Sequence, residues 1–157
     1  MVSRRPLVVL GLLGALTLQD GAARAGPPAD AALERAVHEQ VNRHRRAHGL
    51  APLALDARIS EQARRHSRAM AEGRTRFGHA GFTDRIEALR RVMTWRRIAE
   101  NVASNRGHRD PAAEAVRGWL ASPAHRENIE GPYDRTGIGV ARSATGEVFF
   151  TQVFVGR

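Results

Sequence analysis

The 157-residue sequence contains no cysteine and no lysine, and aromatic residues make up only 5% of it. Without cysteine the fold cannot be held by disulfide bonds, so its stability must come from packing alone. The sequence contains 25 arginines, and its formal net charge is +9. Arginines can form solvated helix faces as well as anion-binding sites. No aromatic residues alternate with these arginines as in single-strand binders, so we do not expect nucleic acid as a partner.

Long hydrophobic runs are scarce, and the longest lies near the start of the chain. Leu7 to Leu18 (LVVLGLLGALTL) follows two arginines and is too short to span a bilayer comfortably. Ala23 to Ala25 then supplies a small-x-small cleavage site, and these features together are typical of a secretory signal peptide. We therefore expect a signal peptide over residues 1–25, with an uncleaved anchor or a twin-arginine signal as alternatives.

Removal of residues 1–25 would leave one exported domain over residues 26–157, periplasmic or extracellular, without a transmembrane segment. The removed part holds three arginines and one aspartate, so the net charge would fall from +9 to +7. A charge of this size is compatible with adhesion to anionic polymers but does not establish it.

Apolar spacing and capping residues predict helices in the first part of this domain and strands at its end. Residues 93–105 are predicted to be irregular or one-turn helical, and residues 122–135 to be a loop. The expected fold class is therefore α+β, with the helices early and the sheet late. The predicted helices run from Leu33 to the C-cap Gly49, from the N-cap Asp56 to near Gly73, over residues 84–92, and from Asp110-Pro111 to Ser122; the predicted strands are residues 136–142 and 147–155.

Seven histidines are the main candidates for chemistry. His44 and His48 lie four residues apart, a spacing that resembles the metal-binding helix of zinc proteases. The general-base glutamate of that helix is missing, and Arg45 and Arg46 would repel a cation, so we assign no metal site to this pair. His66 lies on the apolar stripe of its helix and is expected to be a hydrogen-bonded core residue.

Three residues are stronger candidates for a functional site: His79, Glu100 and His125. Both histidines lie in segments bounded by glycine or proline, next to apolar elements. Glu100 has apolar neighbours on both sides, and a partly buried acid needs a partner such as an imidazole. The spacing matches no local metal motif. The residues therefore leave two interpretations open, one shared site or three separate structural roles.

Six motifs occur in a fixed order along residues 32–155. They are Asn42…Arg45…Gly49-Leu50…Pro52-Leu53, Phe77-Gly-His79, Ala99-Glu-Asn-Val102, Trp119 to Ile129 (WLASPAHRENI), Gly137-Ile-Gly-Val140 and Thr151-Gln152. In this order they resemble the CAP superfamily of cysteine-rich secretory, antigen 5 and pathogenesis-related 1 proteins, and most of all its bacterial SCP-like branch. The resemblance implies an α-β-α sandwich, with a short antiparallel sheet between helical layers and a cleft lined by histidines and glutamates.

The same resemblance implies that His79 and Glu100 line this cleft. Many eukaryotic members have a second cleft glutamate and a second cleft histidine, but Ser122 and Phe149 stand at those positions here. We therefore expect His125 to supply the second imidazole. The proline two residues before it is expected to stop the helix, so that this imidazole turns into the cleft opposite His79.

Two neutral imidazoles and a carboxylate could bind zinc or a similar divalent ion and leave positions open for water or ligand. Glu100 could ligate the ion, orient a histidine or act as the general base that activates water. The alternative is a hydrogen-bonded cluster in which His79, Glu100 and His125 only tie two loops to the sheet. The residues expected to line or support the cleft are Asn101, Ser122, Arg126, Asn128 and Gln152. Of these, the asparagines are expected to bond loop backbone, and Arg126 to pair with a carboxylate such as Glu100.

Three functions are compatible with these features. The preferred one is an exported monomeric module that binds a lipid, a cell-envelope polymer or a protein in the cleft. The second is a metal-dependent hydrolase in which His79 and His125 hold the ion and Glu100 activates water. The third is a binder of polyanions through the arginines. The sequence has no nucleophile elbow and no zinc-protease motif, so an enzyme is the less favoured interpretation.

Overall fold

The computed structural model describes residues 29–157, so the predicted signal peptide lies outside the described residues. Within this range the chain forms five helices and four strands. None of these helices combines the length and the hydropathy needed to cross a membrane. In chain order the elements are α1 (Ala29–Ala47), β1 (Ala54–Leu55), α2 (Ala57–Ala71), α3 (Phe82–Arg90), β2 (Arg97–Asn105), α4 (Pro111–Ala121), α5 (Pro123–Glu130), β3 (Arg135–Arg142) and β4 (Val148–Gly156).

The four strands form one sheet in the order β1-β3-β4-β2. β4 is antiparallel to both of its neighbours, and the two-residue β1 pairs in parallel with β3. All nine residues of β4 are buried, as expected for a strand covered on both faces. Helices α1, α4 and α5 cover one face of the sheet, and α2 and α3 cover the other. The expected α-β-α sandwich is confirmed.

Alternate residues of β4 supply the two halves of the hydrophobic core. Phe150 and Phe154 pack with residues of α1, α4 and α5, and Val153 packs with residues of α2 and α3. The edge strand β2 follows the same alternation in register with β4. Glu100 is paired with Val153 and therefore faces the α2 and α3 side, whereas Asn101 faces the α5 side. One strand thus presents polar side chains to both helical layers.

Two glycines of β3 allow α2 to lie directly on the sheet. A Cβ atom at Gly137 would overlap the backbone of Ser60, and a Cβ atom at Gly139 would overlap the backbone of Arg64. Neither glycine has a positive φ, so the packing requires the missing side chain and not the backbone freedom of glycine. The Gly-Ile-Gly-Val motif is therefore a helix-packing motif.

Three elements differ from the sequence-based expectation: the two-residue β1, which was not predicted, and the elements β2 and α5. The segment predicted to be irregular contains β2, whose inward positions include Glu100 and Asn101 and so lack an apolar alternation. The segment predicted to be a loop contains α5. Pro123 is the first residue of that helix, where the N–H that proline lacks would have no partner in the helix anyway. Only Ile129 of α5 is buried, so the helix shows no apolar periodicity in the sequence.

Candidate functional site

Glu100 is a buried carboxylate on the edge strand, with a side chain that is 1% exposed. Arg85 of α3 meets it in a bidentate pair, in which Nε donates to Oε2 and Nη2 donates to Oε1, each over 2.8 Å. A buried charge is costly unless it is paired and hydrogen-bonded, and these two groups satisfy each other. Arg126, for which a carboxylate such as Glu100 was the expected partner, does not take part in this pair. Arg85 is a site residue that the sequence analysis missed.

His79 joins this pair from the loop between α2 and α3. Its Nδ1 lies 3.0 Å from Glu100 Oε1. A carboxylate paired with a guanidinium accepts hydrogen bonds, so Nδ1 carries the proton that His79 donates to it. Gly78 and Gly81, on either side of His79, both have positive φ, which allows the loop to turn tightly around the ring. Because the His79 side chain is 52% exposed, Glu100 orients an imidazole that a ligand can reach.

His66 of α2 anchors the same loop from the core. Its Nε2 donates to the carbonyl oxygen of Gly78 over 2.7 Å, and Nη1 of Arg85 donates to the carbonyl oxygen of Ala80 over 2.9 Å. His66 is 4% exposed, and its burial is the main cause that lowers its pKa, so the ring is neutral at pH 7. The prediction that His66 is a hydrogen-bonded core residue is confirmed.

His125 approaches the site from the other side of β2, on the first turn of α5. Asn101 donates from Nδ2 to the carbonyl oxygen of His125 over 2.9 Å, and Asn128 donates from Nδ2 to Asn101 Oδ1 over the same distance. Asn101 therefore bonds backbone, as expected, and ties α5 to the edge strand. Partial burial, followed by the nearby charge of His79, lowers the pKa of His125 and keeps its imidazole neutral at pH 7.

A groove of about 450 Å³ extends from His125 between β2 and α4, and we call it the β2–α4 groove. Phe77 and Trp119 are its aromatic residues, and Phe77 is 58% exposed. Its polar groups include Ser122, at the C-terminal end of α4, and His108. The groove is therefore open, and it has both apolar and polar walls. Its other lining residues are Val102, Ala103, Ser104, Asn105, Glu114, Ala115 and Gly118.

The remaining predicted site residues occupy different places. Ser122 lines the groove. Arg126 is exposed, and its guanidinium donates to the carbonyl oxygen of Leu120 over 3.4 Å. Gln152 is completely buried in β4, where its Nε2 donates to Thr136 Oγ1 over 3.1 Å. Gln152 therefore supports the sheet and is not positioned to contact a ligand.

His79, Glu100 and His125 do not bring their donor atoms into the compact set that a three-ligand metal centre needs. Among residues 29–157, one group of three such side chains has donor atoms that all lie within 4.8 Å of one another, and these three are not its members. That group consists of His44, His48 and Glu130. Glu100 is moreover held by Arg85, whose permanent positive charge opposes a cation at the same carboxylate. The donor set around Glu100 therefore fits a metal ion poorly.

The comparison with protein families places residues 38–154 within the model of the cysteine-rich secretory protein family, CAP. The YkwD protein of Bacillus subtilis is 32% identical over 138 residues, which cover 85% of this chain and 51% of YkwD. The chain thus spans about half the length of this relative.

Solved structures give the same result for the fold. An extracellular protein containing an SCP domain from Bacillus anthracis is 25% identical, with a TM-score of 0.68 over 85% of this chain and 45% of that one. An outer surface protein from Borrelia burgdorferi is 20% identical, with a TM-score of 0.69 over 80% of this chain and 93% of that one. The latter similarity concerns the fold alone.

Proposed function

This chain is a member of the cysteine-rich secretory protein family, CAP, and on that basis we propose that it is an exported domain that binds a carbohydrate-containing polymer of the cell envelope. The ligand would lie in the β2–α4 groove, with the imidazoles of His125 and His79 at one end. The observation that carries this proposal is the open groove that begins at His125 and is lined by both aromatic and hydrogen-bonding groups.

The chemistry of the groove favours a sugar chain over other polymers. An exposed aromatic ring such as that of Phe77 can pack against the apolar face of a sugar, while Ser122 and the neutral imidazole of His125 can exchange hydrogen bonds with hydroxyl groups. A peptide that added itself as a strand to β2 would need free backbone groups on that edge. The carbonyl oxygen of Val102 already accepts a bond from Trp119 Nε1 over 3.1 Å. Strand addition at this point is therefore disfavoured.

Export is part of the proposal. The pattern of residues 1–25 predicts a signal peptide. The similar solved protein from Bacillus anthracis is described as extracellular, which supports the same location for this chain. A ligand in the cell envelope is consistent with both.

The hydrolase alternative has less support. A general base must offer an oxygen to the water it activates, but both oxygens of Glu100 accept bonds from Arg85, and one of them also bonds His79. An ion at this site would be left with His79 and His125 as its ligands, and would act there as a Lewis acid. The arrangement thus favours a role for Glu100 in orienting His79 for binding. The polyanion alternative is also less favoured. Nine of the described arginines already form ion pairs with carboxylates, which reduces the positive charge they can offer to a polyanion.

A lipid is the second candidate, because a separate groove of about 420 Å³ lies between α1 and α4. Ala47, Val116 and Leu120 give it apolar walls, and Arg43 supplies a positive charge that suits a carboxylate headgroup. This groove and the β2–α4 groove lie on different sides of α4. Variants on α4 can therefore separate the two candidates.

Gly118→Leu tests the proposed function directly. Gly118 lines the β2–α4 groove, and a Cβ atom there would meet no atom within 4 Å, so a leucine side chain would fill the groove without disturbing the core. We expect its affinity for purified cell-wall polymer, measured by co-sedimentation, to fall by about tenfold or more.

The matched control is Ala121→Leu, an exposed position on the same helix that does not line the groove. This variant is expected to bind like the native protein. Native affinity in Gly118→Leu, with its circular dichroism unchanged, would contradict the proposed site. Loss of fatty-acid binding but not of polymer binding in Arg43→Ala would assign the lipid to the other groove.

A further inference from the structure

A second cluster of titratable side chains lies at the C-terminal end of α1, apart from His79 and Glu100. It consists of His44 and His48 of α1 and Glu130, the last residue of α5. One donor atom from each side chain can be chosen so that all three lie within 4.8 Å of one another. We propose that this cluster, which we call the α1–α5 site, binds a divalent transition-metal ion such as Zn²⁺.

The donor set is one that such ions use. Two imidazoles and a carboxylate form a known three-ligand set for zinc, which leaves a fourth position for water. Donors around zinc at about 2.0–2.1 Å lie about 3.3 Å apart, so small side-chain rotations suffice to close the set. His44 Nε2 and Glu130 Oε1 are 2.8 Å apart as a hydrogen-bonded pair, and the ion would replace the proton between them.

His48 is already oriented as a ligand. Its Nδ1 lies 2.9 Å from the backbone carbonyl oxygen of His44, and because a carbonyl oxygen only accepts, Nδ1 carries the proton. Nε2 therefore keeps the lone pair that a metal needs, and the hydrogen bond fixes the ring in the way that metal-ligating histidines usually are. The two imidazole rings are stacked with their centroids 4.1 Å apart, so both lie on the same side of α1.

Arg45 is a positioning residue for the α1–α5 site. From the sequence alone, Arg45 and Arg46 between the two histidines argue against a cation, but the structure leaves Arg46 exposed to solvent. In the structure Arg45 is 3% exposed, and its guanidinium is directed at backbone carbonyl oxygens. It donates to Ile129 over 2.7 Å and to Gly131 over 3.0 Å, the two residues that flank Glu130. Arg45 thus holds the end of α5 so that the Glu130 carboxylate meets His44.

The location also suits a cation. Carbonyl groups at the end of a helix carry partial negative charge, and both α1 and α5 end at this site. The ion would join α1 to α5, the helix whose first turn carries His125 into the β2–α4 groove.

Calorimetric titration with Zn²⁺ tests the site in the chelator-treated protein, purified without a histidine tag. We expect one equivalent to bind, with affinity reduced by about tenfold or more in His48→Ala and in Glu130→Gln. His48 is exposed, so its removal should leave the fold intact, and a native circular dichroism spectrum checks this. As a second readout, Zn²⁺ should raise the melting temperature of the native protein but not that of His48→Ala.

Two control variants make the assignment specific. His108 is another exposed histidine near a carboxylate, 3.5 Å from Glu114, and His108→Ala should bind zinc like the native protein. The double variant His79→Ala/His125→Ala should also retain zinc binding. The proposal is overturned if the protein binds no zinc, if His48→Ala binds it unchanged, or if the double variant alone loses it. Polymer binding in His48→Ala reports on the groove separately.

Discussion

At the scale of single residues, the Glu100–Arg85 pair determines what the cleft can do. The guanidinium bonds both carboxylate oxygens and holds Glu100 in a fixed position, and the side chain is only 1% exposed, so it does not meet the water that a general base would activate. Oε1 also accepts from His79 Nδ1. The result is an imidazole that is fixed at Nδ1 and that a ligand can reach.

His66 predicts how stability depends on pH. Burial lowers its pKa in the folded state, whereas in the unfolded chain the ring takes up a proton near pH 6.5. Below about pH 6.5 the unfolded state therefore binds more protons than the folded state. The free energy of unfolding should then decrease as the pH is lowered, by up to about 1.4 kcal/mol per pH unit for this group. Denaturant unfolding between about pH 7.5 and pH 5 measures the slope.

The slope should become shallower in His66→Gln, because glutamine does not titrate but its amide can still donate to the carbonyl oxygen of Gly78. Stability curves that run parallel for the native protein and His66→Gln would show that this histidine does not contribute.

The hydrogen-bonding roles of His66 and Asn101 were predictable from the sequence, because they depend on the local pattern around each residue. His66 lies on an apolar stripe, and Asn101 bonds backbone. The partner of Glu100 was not predictable, because Arg85 is one of many arginines and reaches Glu100 only through the packing of α3. The available signal was its spacing of four residues from the buried Leu89 on the same helix. Arg45 likewise shows that a charge in the sequence does not reveal where it points.

At the scale of elements, the contact between α2 and β3 fixes the layer that carries the loop of His79. This contact depends on Gly137 and Gly139, because the backbone of α2 occupies the space where their side chains would be. A helix packed this closely cannot move away without opening the core around Ile59 and Val153.

Gly139→Ala is expected to destabilise the protein by about 2 kcal/mol or more, because its methyl group would collide with the rigid backbone of Arg64. Gly118→Ala is the matched control: it lies in a helix with free space around it and should raise stability by about 0.5–1 kcal/mol. Midpoints of denaturant unfolding compare the two. Equal stability of Gly139→Ala and the native protein would show that α2 can shift away.

Elements with strong periodicity or clear caps were predicted near their observed bounds, as for α2 after the N-cap Asp56 and α4 after Asp110. Three elements were missed, β1, β2 and α5, and the last two of them support the site. β2 carries polar residues at positions that bond across layers, and α5 buries only Ile129. Neither β2 nor α5 therefore shows the apolar periodicity that identifies a strand or a helix in a sequence.

At the scale of the whole molecule, a member of the cysteine-rich secretory protein family is built here without cysteine. Disulfide bonds are replaced by packing on both faces of a buried central strand and by hydrogen-bonded pairs such as Arg85 with Glu100. The resemblance in six ordered motifs predicted this architecture correctly. It did not reveal the α1–α5 site, because Glu130 lies 86 residues from His44 along the chain.

The central claim is that the ligand occupies the β2–α4 groove. Titration of soluble cell-wall glycan fragments into the isotope-labelled protein, followed by amide chemical shifts, tests it most directly. If the ligand lies in the β2–α4 groove, the largest amide shift changes are expected at residues 102–105, Gly118, Ser122 and His125, with smaller changes at His79. Shifts that concentrate between α1 and α4, or no shifts at saturating fragment, would contradict it.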